Sequence, residues 1–234
     1  MSVLSDPRRF RRWAAGLSLI VAPLFYLAGV VVDPALRQGG DDTRGVYGMY
    51  PDQVSLSASL LHWSWILMLP GIVGMVHLIR TRGVVLGHIA GGIAFLGVVN
   101  FSALMFGDFV YSRLERTFGA VRGDMLANEI WSDPGAQFGF RLPGFIGLVG
   151  LFVLGLVLAY ARQGPWWSPF AITIGWMGSP IFPIGTVVAG LLFIAGTGVI
   201  GLRMLRMSDE EWAGETLPQA ASSGSPTGNL ANTR

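Results

Sequence analysis

Residues 13–32 read WAAGLSLIVAPLFYLAGVVV, twenty positions without a charge, preceded by Arg8, Arg9, Arg11 and Arg12 and followed by Asp33-Pro34. As a helix rising 1.5 Å per residue, this run covers about 30 Å, the thickness of a bilayer's hydrocarbon core. It is longer than the roughly 7–15 apolar residues of a cleaved signal, and no small-x-small site precedes Asp33. The stretch reads as a retained first membrane span, and it sets the reading of everything that follows.

The composition agrees. Of the 234 residues, 52% are hydrophobic and only 13% charged, and the mean hydropathy is +0.54. A soluble domain carries about 25% charged residues, so the apolar excess needs lipid to cover it. The 33 glycines suit membrane helices, where small residues let backbones approach. Cysteine is absent, which excludes disulfides, thiolate metal ligation and a Cys nucleophile. All 16 basic residues are Arg, so lysine Schiff-base and P-loop chemistry are excluded as well. The arginines stand at helix ends and form no basic face, which argues against nucleic acid and makes them topology signals.

Further apolar runs predict a second span near 57–79, interrupted by Pro70, and a third near 84–107. The short turn around Arg80 and Arg82 joins them as a hairpin. A fourth span covers 142–161, with Pro143 in its first turn, where proline is tolerated. The forty residues from Trp166 to Leu205, uncharged until Arg203 and broken by Pro180 and Pro183, read as a short fifth span over 166–178 and a sixth over 184–205. Basic residues favour the cytoplasmic side. Only an even number of crossings gathers Arg8–Arg12, Arg80, Arg82, Arg162, Arg203 and Arg206 on one side, so six spans are expected, with five as the alternative. The expected architecture is an all-α polytopic transmembrane bundle over 13–206, with a basic cytoplasmic segment over 1–12 and a disordered cytoplasmic tail over 207–234. The expected location is a bacterial inner membrane.

The two outer loops, 33–56 and 108–141, hold most of the acidic residues. In the second, Tyr111, Leu114, Phe118, Val121 and Met125 recur at helical spacing. This predicts an amphipathic helix between spans three and four, either lying on the outer surface or extending the third span above it.

Ionisable groups are costly inside a bilayer, so their depth points to function. The span centres hold none, which argues against a proton relay or a voltage sensor. Asp33, His62, Asn100, Asp108 and Arg141 instead fall near the outer interface as a candidate polar cluster. One reading makes it a site in which His62 is base or ligand, positioned by Asp33 and Asp108. The other makes Asp33 a turn, His62 a helix cap, and Asp108 with Arg141 an ion pair. No known metal-ligand spacing appears, and His77 with His88, at the closed end of a hairpin, leave no room for haem. No metal or cofactor is expected.

The basic start, long outer loops, tight hairpin and Gly164-Pro-Trp-Trp-Ser-Pro169 entry to the last pair resemble small six-helix bacterial membrane proteins grouped as domains of unknown function. The resemblance covers residues 8–206 and implies a fold without implying an activity. Three functions fit the sequence. The first is a non-enzymatic accessory or membrane-structural component, partnered by lipid and by a membrane protein or a second copy. The second is a permease for a neutral or amphiphilic molecule, using Pro70 and the Pro180–Pro183 break. The third is a membrane-embedded hydrolase or metal enzyme at the outer cluster.

Overall fold

A computed structural model describes residues 6–38, 43–181 and 185–215. The described residues are almost wholly helical, and five helices are long and apolar enough to cross a membrane. The chain is therefore a polytopic helical membrane bundle.

The first span is α1 (Pro7–Val32), started by Asp6, whose side chain accepts from Arg8 N, and by Pro7 in the first turn. After Asp33 the chain makes a short α2 (Pro34–Gln38) and a single-turn α3 (Val46–Met49). The second span, α4 (Pro51–Leu78), begins two turns earlier than the hydropathy predicts, because Pro51 supplies a preorganised helix start.

At 1.5 Å per residue, α5 (Val84–Leu104) alone covers about 31 Å. Met105 interrupts its ladder, its N–H reaching back only to Ser102 O at 3.3 Å. The chain then continues as α6 (Phe106–Phe118), so the amphipathic segment begins as an extension of the third span. Gly119, at φ 82°, takes a conformation that a side chain would oppose, and turns the chain into α7 (Ala120–Ser132), which packs back on α6. The expected amphipathic region is thus two helices hinged at a glycine. A turn of helix, α8 (Pro134–Ala136), and a π turn over Gln137–Arg141 lead into α9 (Leu142–Tyr160).

The last pair is α10 (Ser168–Ile181) and α11 (Thr186–Arg206). They run antiparallel: Ser168 Oγ donates to Gly196 O at 2.8 Å, and Gly175 lies against Ala189 and Phe193. With 14 residues, α10 covers only about 21 Å. The Pro183 break lies outside the described residues, as do the side chains around Pro180.

Packing follows the small residues. Gly97 on α5 meets Gly147 on α9 so closely that a Cβ on either would overlap the other's backbone. Gly150 sits against Ala90 and Ala94, which puts small residues on both sides of this interface.

The bundle's middle is filled by rings. Trp65, 2% exposed, makes edge contacts with Tyr26 at 6.0 Å and Trp176 at 5.9 Å, and Phe101 and Phe193 close around them. Tyr26 donates its hydroxyl to Trp176 O at 3.0 Å, which satisfies a polar group otherwise costly at this depth. Trp65 and Trp176 are core residues. Trp63, Trp166 and Trp167 are exposed, as a belt requires.

One end of the bundle is closed by arginines. Arg12, almost buried, donates to Asp209 at 2.8 Å and to Leu205 O at 2.9 Å, while Arg9 reaches the other Asp209 oxygen at 2.9 Å. These contacts hold α12 (Asp209–Ala213) across the start of α1. The Trp212 carbonyl accepts from His77 Nε2 at 2.8 Å and from the Arg80 guanidinium. Arg203 donates to Arg162 O at 3.1 Å. The tail expected to be disordered from residue 207 therefore opens with a docked helix, and residues 216–234 lie outside the description. Its signal was Ser208-Asp-Glu-Glu211, a capping sequence in which Ser208 Oγ accepts from Glu211 N at 3.1 Å.

Candidate functional site

The opposite end carries a cap built from α2, α3, α6 and α7. Its anchor is Glu115, a buried carboxylate on α6 that accepts from Gly45 N at 2.9 Å and Gly48 N at 2.6 Å. Ser112 adds a bond to Tyr47 O at 2.9 Å. Glycine is needed at 45, where φ is 81°, and at 48, where a Cβ would press on the Glu115 side chain. The amphipathic reading of 111–125 did not single out Glu115. The available signal was its place one turn beyond Tyr111, facing a glycine-rich loop.

Beneath this anchor lies a cavity of about 280 Å³ lined by Tyr47, Asp108, Tyr111, Glu115 and Asp124. Tyr47 and Tyr111 meet edge to face at 6.3 Å. Asp33 stands behind Tyr47. Its Oδ1 accepts from Ala35 N at 2.9 Å and Leu36 N at 3.1 Å, and its Oδ2 accepts from Tyr47 and Ser57 hydroxyls, each at 3.4 Å. Burial pushes the Asp33 carboxyl above the usual carboxylate range, and those bonds pull it back in part. Burial, then the charges of Asp108 and Asp33, raise the Tyr47 hydroxyl, so it stays a neutral donor.

His62 belongs to a different cavity, also about 280 Å³, lined by Ser59, Trp63, Ser102, Phe106 and Phe109. Its Nδ1 lies 2.8 Å from Ser102 Oγ. His62 is three turns inside α4 and caps nothing, contrary to one expectation. Asn100 returns its amide to Leu96 O, one turn back on its own helix, at 2.8 Å. Arg141 is exposed and makes no ion pair with Asp108.

The five residues expected to share one polar cup are thus dispersed. Asp33 and Asp108 come together around Tyr47, Asp33 being also the helix-ending turn. His62 and Asn100 lie elsewhere, because they face other sides of their helices, and Arg141, in the π turn, brings its charge to Tyr111 without pairing with Asp108. Among the described residues no cluster of three His, Asp or Glu side chains has the geometry to hold a metal ion.

The fold and this end define a multi-pass helical membrane protein with a capped face. No family model, curated protein or solved structure matches the chain. Its function is argued from its own geometry.

Proposed function

We propose that the protein is a non-enzymatic, membrane-structural component that works by association with lipid or with other membrane chains through its outer cap. In this reading it crosses a bacterial inner membrane six times, with α10 as the short fifth crossing and both ends cytoplasmic. The clasp of Arg12 on Asp209 supports the shared side, since it joins the start of α1 to the end of α11. The gathering of Arg80, Arg162 and Arg203 at that same end supports its cytoplasmic orientation.

The observation that carries the functional reading is the ring cluster around Trp65. A permease needs space for its substrate near mid-membrane, and these side chains occupy it. The cavity beside Pro70 lies at the basic end, lined also by Phe10, Gly74, His77 and Trp212. Reconstitution into vesicles tests this directly: osmotic swelling with small neutral solutes should match that of empty vesicles. Solute-dependent swelling abolished by plugging variants would establish a permease instead.

One observation favours a second reading, a membrane-embedded serine hydrolase. Ser102 Oγ at 2.8 Å from His62 Nδ1 is within reach for the imidazole to take the hydroxyl proton during attack on an acyl carbonyl. Labelling by a fluorophosphonate probe, lost in both Ser102→Ala and His62→Ala, would establish it. No labelling leaves the pair as a tie between α4 and α5.

A further inference from the structure

We propose that the cap and the outer end of α5 hold one acyl chain of an anionic phospholipid from the outer leaflet, with its phosphate beside Arg141. This inference rests on the membrane reading above and specifies the lipid site within it.

A groove of about 250 Å³ runs between the α5–α6 junction, α7 and the π turn. Ala103, Gly107 and Ala127 leave it deep, and Phe106, Trp131 and Phe140 wall it. Two irregularities make the space. The Met105 break divides α6 from α5, and the π turn lets Gln137 donate to Trp131 O at 2.5 Å. The six-membered ring of Trp131 reaches Gly107, where a Cβ would overlap the indole. Every lining side chain is apolar or aromatic, so water entering the groove finds few partners, whereas methylene groups find contact on both walls.

Depth and exposure select the occupant. The groove opens about 31 Å along α5 from Val84, where a bilayer's hydrocarbon gives way to headgroups. Its rims, Phe106 at 70% and Phe140 at 49% exposed, continue directly into Leu142, Phe145, Ile146 and Val149, the exposed apolar side of α9. The groove is therefore continuous with the lipid-facing surface. Arg141 follows Phe140 in the chain, is exposed, and is engaged by no carboxylate in an ion pair. A guanidinium at this level supplies paired donors for a phosphate.

The test uses detergent-solubilised full chain titrated with phosphatidylglycerol brominated on its acyl chains, read by tryptophan quenching. Because the chain has 8 tryptophans, Trp131→Phe identifies the groove's contribution. Quenching should contain a part that saturates at one lipid per chain, and that part should be lost in Trp131→Phe and in Ala103→Phe, which places a ring in the groove. Arg141→Gln, on the surface and safe for folding, should weaken binding about fivefold. Quenching that rises without saturation, or equally in parent and Ala103→Phe, would overturn the site. Equal binding of the brominated phosphatidylcholine would overturn the Arg141 assignment. A chain that stays monodisperse without detergent would instead overturn the membrane reading itself.

Discussion

Replacing Glu115 by Ala removes the carboxylate that holds α3 and the loop before it to α6. Its two oxygens accept from Gly45 N at 2.9 Å and Gly48 N at 2.6 Å, and the residue is only 6% exposed. Alanine leaves the buried Gly45 N–H and the half-buried Gly48 N–H without their carboxylate partner. Each such group costs about 1–3 kcal/mol, so docking of α3 should weaken by about 2–6 kcal/mol. At about 1.4 kcal/mol per factor of ten, even the lower figure raises the undocked fraction about thirtyfold. The spans should remain folded, since their ring core and the α5–α9 glycine contact lie elsewhere. The absence of cysteine gives a clean assay. Val46, 1% exposed on α3, becomes a reporter as Val46→Cys, with maleimide labelling measured in detergent. Labelling should be slow with Glu115 and faster by at least that factor with Ala. Glu115→Gln, which keeps one acceptor oxygen, should fall between. Equal labelling rates with Glu and Ala would refute the anchoring role.

Gly97→Leu should lower the thermal midpoint of the purified protein through overpacking of about 1–3 kcal/mol at the α5–α9 contact. Gly92→Ala, whose Cβ meets nothing within 4 Å, should leave the midpoint unchanged or raise it. Ser102→Ala should cost about 0.6–2 kcal/mol in the same assay, the range for an interhelical bond in a membrane. At the basic end, the hydrogen bond from Arg9, joined by those of Arg12, holds the Asp209 carboxyl below its ordinary value of 3.8. A depressed carboxylate stabilises the fold fully above that value and ceases to as pH falls through the lower folded one. Asp209→Asn should therefore lower the midpoint at neutral pH, and the gap from the parent should close as the pH is taken below 3.8.

The spans were legible because lipid imposes one demand on every residue of a long run, and a window of apolar residues records it. Trp13–Val32 and Val84–Leu104 follow directly from hydropathy. The reach of α4 back to Pro51 did not, since Asp52 and Gln53 are polar and the helix there lies beyond the apolar stretch. The candidate cluster was read by depth alone. Asp33 and Asp108 do meet beside Tyr47, but a helix also has a rotational phase, and phase sent His62 to Ser102 and Asn100 to its own backbone. Glu115 and Arg12 were missed for one reason: no local pattern shows that a charge outside the hydrocarbon has a distant partner. In the structure each is nearly buried by long-range partners, Gly45 and Gly48 for one and Asp209 for the other. Only the folded chain brings those partners near.

The account stands on a bundle whose basic ends share one face and whose cap lies on the other. Single cysteines at Arg11, Arg82, Thr117 and Glu210 in the cysteine-free chain, probed with a membrane-impermeant maleimide on intact cells, test it. Thr117→Cys on the cap should label at once, and the other three only after permeabilisation. Labelling of positions 11 and 210 from opposite faces would contradict the account.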